Sequence, residues 1–126
     1  MKVLVTGTSQ GIGKAIAELF LENGHEVIGL DRCVHSIEAG NYTHIICDIR
    51  DYENLPDING VEILINNAGT QNGDDIDINL KSLIKVTEKY GVREGIKSVL
   101  SIVVDGGESI NSRFIWPEND LISLHL

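Results

Sequence analysis

Short apolar runs alternate along this chain with segments whose apolar residues recur at helical spacing. The first helical pattern follows the first apolar run and ends at the Asn23-Gly24 pair, which is typical of a helix C-terminus. Apolar runs that predict strands occupy Lys2–Thr6, Glu26–Leu30, Thr43–Cys47 and Val61–Asn66. Because strands and helices alternate, the predicted fold class is α/β, with a parallel sheet covered by helices.

The pattern is less regular between and after these strands. Arg32–Tyr42 is too short for a full helix with its loops and predicts a turn or one helical coil. Asp51–Leu55 predicts a short helical turn that ends at Pro56. Asp74 or Asp75 can cap a helix that ends near Gly91. Ile96–Val104 is rich in β-forming residues and predicts one long strand or two short ones.

Composition narrows the classes of partner. A chain of 126 residues predicts one domain, and a net charge of -9 argues against nucleic acid or an anionic membrane as partner. No apolar run approaches the roughly 20 residues of a membrane span, and the first strand leaves no room for a leader peptide. The two cysteines, Cys33 and Cys47, are interpreted as ordinary buried thiols, which favours a cytoplasmic location. The four histidines have no ligand spacing, so no metal site is predicted.

The first strand runs into a glycine-rich turn and then into the first helix. In this turn Gly7 permits a tight exit from the strand, Gly11 leaves room for a pyrophosphate, and Gly13 lets the helix pack closely. A phosphate can then lie at the positive end of the helix, although such turns also occur for purely structural reasons. The residues predicted to bind a dinucleotide here are Gly7, Ser9, Gln10, Gly11, Ile12 and Gly13.

An acidic residue stands where a ribose would be recognised. Asp31 ends the second predicted strand, 24 positions after Gly7 (31 − 7), which is close to the spacing expected for a ribose-binding carboxylate. Such a carboxylate accepts hydrogen bonds from both ribose hydroxyls and repels a 2′-phosphate, so it favours NAD over NADP. Arg32 complicates this preference, because an arginine can stack on adenine or pair with a 2′-phosphate.

Two more segments follow strands at the carboxyl edge, where ligands of open α/β sheets bind. Asp48, with Ile49 after it, is placed to accept a hydrogen bond from the adenine amino group. Asn66 and Asn67 can tie neighbouring strands together, while Ala68 and Gly69 leave space for ribose and phosphate.

Together these motifs resemble those of the short-chain dehydrogenase/reductase family. The family's turn, Thr-Gly-x-x-x-Gly-Ile-Gly, matches Thr6–Gly13, its Asn-Asn-Ala-Gly signature matches Asn66–Gly69, and its Asp-Ile pair matches Asp48-Ile49. The resemblance extends over residues 1 to about 90 and implies a Rossmann-like three-layer αβα fold with a short, mostly parallel sheet. It also implies hydride transfer between a nicotinamide cofactor and an alcohol or carbonyl. Asn79 matches the family's asparagine that holds a water in the proton relay.

The family's catalytic residues have no counterpart in the sequence. The resemblance implies a serine, and a tyrosine followed four residues later by a lysine that lowers the tyrosine's pKa. Residues Ile46, Pro56 and Glu94 stand four positions after the three tyrosines. Ile96–Leu100 resembles the start of the family's fifth strand, and Ile102–Gly107 resembles its last strand, which ends in Val-Asp-Gly-Gly. In the family a long catalytic segment separates these two strands. The chain therefore resembles a member of the family whose middle segment has been removed.

The end of the chain is rather apolar for a free tail. We expect a Rossmann-like NAD-binding domain over 1–110, followed by a C-terminal tail over 111–126 that lies at an oligomer interface, around Phe114 and Trp116. Without the family's sixth strand, the fifth strand should leave a sheet edge open, and such edges invite association. The alternative is that the tail folds back onto its own sheet.

Three hypotheses about function follow. The first is a dinucleotide-binding protein that holds NAD but has little or no turnover. The second is an active oxidoreductase, of the ketone or 3-oxoacyl reductase type, that a partner subunit completes. The third is an oligomeric interaction protein with a vestigial pocket. The predicted partners are a dinucleotide and a second copy of the chain.

Overall fold

The computed structural model describes the backbone over residues 1–68, 76–105, 109–115 and 121–125, and side chains over 1–68 and 80–102. Two helices, seven strands and one 3-10 turn occur in these ranges. In chain order they are β1 (Lys2–Thr6), α1 (Gly11–Glu22), β2 (Glu26–Asp31), β3 (Tyr42–Ile46), the 3-10 turn Tyr52–Asn54, β4 (Ile63–Asn66), α2 (Ile76–Tyr90), β5 (Ser98–Asp105), β6 (Ser109–Ile115) and β7 (Leu121–His125).

All seven strands form one sheet in the order β3-β2-β1-β4-β5-β6-β7. The pairs from β3 to β5 are parallel, and β5, β6 and β7 pair antiparallel. The order reverses beside β1, so the loops after β1 and β4 leave the sheet next to each other. An open α/β sheet binds its ligands at such a reversal. The predicted α/β class with a mostly parallel sheet is confirmed.

Residues that alternate along the strands build a core on each face of the sheet. Leu4 and Leu64 belong to the cluster that includes Val86 and Tyr90 of α2. Their neighbours Val3 and Val5 belong to the cluster on the other face, which includes Ala17 of α1. The period-two alternation therefore places α1 and α2 on opposite faces, which confirms the three-layer αβα arrangement.

Two parts of the sequence interpretation need correction. The edge of β5 is not open, because β6 pairs with it from Val99↔Ile115 to Asp105↔Ser109. The open strands at the margins of the described sheet are β3 and β7. Cys33 is exposed rather than buried, since it lies in the loop after β2, while Cys47 is half-buried. β6 crosses the predicted boundary between 1–110 and 111–126, and that division stays a prediction.

No helix in the described ranges is long and apolar enough to cross a membrane.

Candidate functional site

The glycine turn leaves β1 through a left-handed residue. Gly7 has a φ of +78°, and its N–H donates to the carbonyl of Leu30 at 2.7 Å. A Cβ at Gly7 would lie 2.8 Å from Asn67 Nδ2, and one at Gly13 would overlap the carbonyl oxygen of Gly7. Glycine is therefore needed at both positions, because the turn, helix α1 and the loop after β4 approach one another closely.

The start of α1 is open toward a ligand. Gly11 has a φ of +64°, and the position of a Cβ there has no neighbour within 4 Å among the described atoms. The Gln10 side chain makes no capping hydrogen bond, and the first turn of the helix contains no acidic residue. Among the described residues, the N–H groups of this turn are thus available to an anion, which the helix dipole favours. Ser9, Ile12 and Gly13 complete the predicted turn.

The loop after β4 is tied to the glycine turn. Thr6 Oγ1 accepts the backbone N–H groups of Asn67 at 3.0 Å and Ala68 at 2.9 Å. The Asn67 side-chain amide donates to the carbonyl of Gly7 at 3.2 Å. Asn67 and Ala68 are therefore brought beside Gly7, as the sequence predicts, while Gly69 lies outside the described residues.

Asn66 ties three elements together behind this loop. Its Nδ2 donates to Thr87 Oγ1 of α2 at 3.1 Å and to Ser101 Oγ of β5 at 3.4 Å. Asn66 is buried, so its amide needs these partners. The bonds align α2 with the carboxyl ends of β4 and β5. Asn79 lies on the described backbone of α2, but its side chain is outside the described residues, and its role in a relay stays a prediction.

Asp31 points back to the glycine turn. Its Oδ2 accepts the N–H of Ser9 at 2.9 Å, and its Oδ1 accepts the N–H of Cys33 at 2.9 Å. Each carboxylate oxygen keeps a second lone pair for a ligand hydroxyl. Ser9 Oγ also donates to the carbonyl of Val34 at 2.9 Å, so the turn and the β2–β3 loop are joined on both sides of Asp31. Arg32 follows on this loop and is exposed.

Asp48 lies after β3 and is bound by Arg50, which belongs to none of the predicted motifs. Arg50 donates from Nη2 to Asp48 Oδ2 at 2.7 Å and from its backbone N–H to Oδ1 at 3.0 Å. The side-chain hydrogen bond from Arg50 is the main reason that the pKa of Asp48 lies below its usual value. Ile49 packs against the α2 side of the core. An open groove beside these residues is lined by Asp48, Arg50, Asp51, Tyr52 and Lys81.

A series of hydrogen-bonded polar groups lies beneath the glycine turn, and the sequence motifs did not predict it. Thr8 Oγ1 and the Tyr42 hydroxyl are 2.7 Å apart, and that hydroxyl is 2.6 Å from His44 Nδ1. His44 Nε2 is 2.8 Å from the carbonyl oxygen of Cys33. We call this set the Thr8–Cys33 chain. The available sequence signal was Gly29 inside β2, where a Cβ would overlap the Tyr42 hydroxyl and Thr8 Oγ1.

No group of three or more histidine, cysteine or acidic side chains that could hold a metal occurs within the part of the chain that the structure describes.

Comparison with known proteins gives a single family. The family model for short chain dehydrogenases matches residues 1–101. A probable NADP-dependent dehydrogenase of Haemophilus influenzae is 32% identical over 111 residues, which cover 67% of this chain and 44% of that protein. The 15-hydroxyprostaglandin dehydrogenase [NAD(+)] of Bos taurus is 35% identical over 107 residues, with 67% of this chain and 40% of the relative covered.

The fold has close counterparts among solved structures. A short chain dehydrogenase from Leptospira borgpetersenii, solved with bound NAD+, superimposes with a TM-score of 0.62 at 24% identity. The superposition covers 71% of this chain and 44% of that one. This chain spans less than half the length of each of these three proteins.

Proposed function

Since this chain belongs to the short-chain dehydrogenase family, we propose that it binds a nicotinamide dinucleotide at the carboxyl edge of its parallel strands, with NAD preferred over NADP. The pyrophosphate would lie on the N–H groups at the start of α1, beside the open face of Gly11. The adenosine ribose would lie against Asp31, and the adenine near Asp48 and Ile49. Asn67 and Ala68 would border the nicotinamide ribose.

The preference for NAD is carried by the way in which Asp31 is held. Backbone N–H groups bind both of its oxygens, so the carboxylate cannot easily rotate away to admit a 2′-phosphate. A 2′-phosphate would therefore meet a fixed negative charge, whereas a 2′-hydroxyl would find an acceptor. The relatives include one named as NADP-dependent and one named for NAD(+). The proposed preference for NAD therefore rests on Asp31 and not on the relatives.

Titration calorimetry with NAD, NADP and ADP-ribose tests the binding proposal. We expect NAD and ADP-ribose to bind comparably, and NADP to bind at least about tenfold more weakly. Asp31→Asn should bring the dissociation constants of NAD and NADP together. Asp57→Asn, which removes an exposed carboxylate paired with Lys89, is the matched control and should leave the ratio unchanged. An NADP affinity equal to that of NAD in the unaltered chain would contradict the preference, and the absence of binding would contradict the site.

We further propose that the chain alone has little or no turnover. Proton transfer at neutral pH needs a phenol or another acid whose pKa is tuned toward 7. Tyr90 is buried, donates to the carbonyl of Pro56, and has its pKa raised, chiefly by burial. The Tyr42 hydroxyl is hydrogen-bonded to Thr8 and His44 beneath the glycine turn. Reduction of a panel of ketones and aldehydes with NADH, followed by the loss of NADH absorbance, should show no turnover. Sustained turnover by the pure chain would refute this part of the proposal and support the second hypothesis.

A further inference from the structure

The Thr8–Cys33 chain has one consistent direction when His44 is neutral. A backbone carbonyl only accepts, so His44 Nε2 must carry the proton that is donated to Cys33. Nδ1 of the ring is then an acceptor and takes the proton of the Tyr42 hydroxyl. The Tyr42 oxygen in turn accepts the hydroxyl proton of Thr8. Every side-chain donor in the Thr8–Cys33 chain then has an acceptor.

Protonation of His44 reverses that direction. Nδ1 becomes a donor to the Tyr42 oxygen, so the phenol must turn its own proton toward Thr8 Oγ1. The Thr8 hydroxyl proton then loses its acceptor. Thr8 is fully buried, and Tyr42 is the partner that the structure gives its side chain. A buried donor without an acceptor is unfavourable, so the backbone around Thr8 is driven to rearrange.

We propose that Tyr42 and His44 are positioning residues for the dinucleotide, and that protonation of His44 loosens the glycine turn and weakens binding. The inference rests on the dinucleotide site proposed above. Thr8 lies between Gly7, which leaves the strand, and Ser9, whose N–H holds Asp31. A ligand that requires one conformation of the turn binds less well when that conformation is less populated.

Other ionisable groups lie close to His44 and Tyr42. The His35 ring lies 5.9 Å away between centroids, and His35 Nε2 is 2.9 Å from Glu38 Oε1. Burial raises the pKa of Tyr42, and the nearby Asp31 charge adds to this, while the hydrogen bond with Thr8 opposes it. The phenol therefore stays protonated at neutral pH and transmits the change by turning its proton. Histidine is the side chain that ordinarily changes charge between pH 5 and 8.

The first test measures NAD affinity from about pH 8 to about pH 5.5, the range in which histidine titrates. In the unaltered chain we expect the dissociation constant to rise about tenfold as the pH falls. His44→Asn places a non-titrating acceptor near the position of Nδ1, so it should bind well at high pH and show a flat profile. His35→Asn is the matched control and should keep the pH dependence. A profile that is the same in His44→Asn and in the unaltered chain would overturn the inference.

The second test removes the central hydroxyl. Tyr42→Phe should weaken NAD binding at high pH and abolish the pH dependence. Tyr90→Phe also removes a buried tyrosine hydroxyl, the one that donates to Pro56, and should leave both unchanged. In NMR spectra of the free protein, the amide signals of the glycine turn should follow the titration of His44 in the unaltered chain but not in Tyr42→Phe.

The two tests distinguish failure of the proposed dinucleotide site from failure of its control by His44. Lack of NAD binding at every pH would refute the proposed function, and the control of binding with it. NAD binding in which Tyr42→Phe matches the unaltered chain would refute the present inference alone. Amide signals of the glycine turn that do not change with the protonation of His44 would also refute the present inference alone.

Discussion

Gly13 lies where α1 passes the exit of β1, and its hydrogen faces both the Gly7 carbonyl and the Asn67 amide. A methyl group there would overlap the backbone carbonyl of Gly7 as well as the Asn67 amide, so the helix would have to move away from the sheet. Asn67 would lose its contact with Gly7 in the process, and the turn would lose its shape. The residue thus links packing to binding.

Gly13→Ala should lower the free energy of unfolding by about 1–3 kcal/mol, the usual cost of overpacking, and should weaken NAD binding as well. Gly40→Ala is the matched control. Gly40 has open space at its Cβ position and no left-handed backbone, so its change should stay within about 0.5 kcal/mol. Urea denaturation of both variants measures the difference. Equal stability of the two variants would show that the helix yields freely at this point.

Residues of the site differ in how well the sequence predicted them. The glycines of the turn were predictable, because left-handed backbone at Gly7 and Gly11 and close packing at Gly13 both favour glycine. The partnership of Tyr42 and His44 with Thr8 was not. It depends on the register in which Gly29 pairs with His44, and a register between two strands is a property of the folded sheet.

Helix α2 contains a buried serine, Ser82, whose hydroxyl lacks a hydrogen-bond partner among the described residues. Ser82 is fully buried. Thr87, on the same helix, uses its hydroxyl to accept the Asn66 amide. The two hydroxyls therefore have opposite consequences for the stability of one element.

We expect Ser82→Ala to raise the free energy of unfolding by about 1 kcal/mol, because it removes a buried hydroxyl that lacks a partner. Thr87→Val should lower it by about the same amount, since the Asn66 amide loses an acceptor. Thermal or urea unfolding of the two variants checks the signs. Destabilisation by Ser82→Ala would mean that the hydroxyl has a partner after all.

At the level of elements, β1 to β4 and the two helices followed from apolar periodicity. β3 begins at Tyr42, one residue before the predicted Thr43, and β4 is shorter than predicted. Val61 is buried although it precedes β4, and the backbone of Glu62 hydrogen-bonds to Lys2 and Lys97. β6 and β7 were not predicted as strands. Their sequences mix polar and apolar residues, and their place depends on pairing with β5.

The antiparallel strands β6 and β7 determine which strand lies at this margin of the described sheet. β6 pairs with β5 from Val99 to Asp105, and β7 pairs with β6 from Asn111 to Ile115. Unpaired edges of long strands are templates for association, and the end strands change which edge is exposed.

A chain shortened after Asp105 should therefore expose the full edge of β5 and self-associate. A chain shortened after residue 118 keeps β6 and should associate less. Sedimentation velocity over a range of concentrations distinguishes the two. Two shortened chains that both stay monomeric would show that the β5 edge needs no cover. The predicted homo-oligomer of the full chain can be examined in the same experiment.

The bonds between Asn67, Ala68 and the first strand also have a consequence for synthesis on the ribosome. Thr6 and Gly7 are translated early, but their partners at Asn67 and Ala68 stand 60 to 62 positions later. The nascent glycine turn therefore cannot take its final form until β4 and the residues after it have left the exit tunnel. A cofactor should bind to a stalled nascent chain only after that point. The order of translation thus sets the earliest moment at which this site can exist.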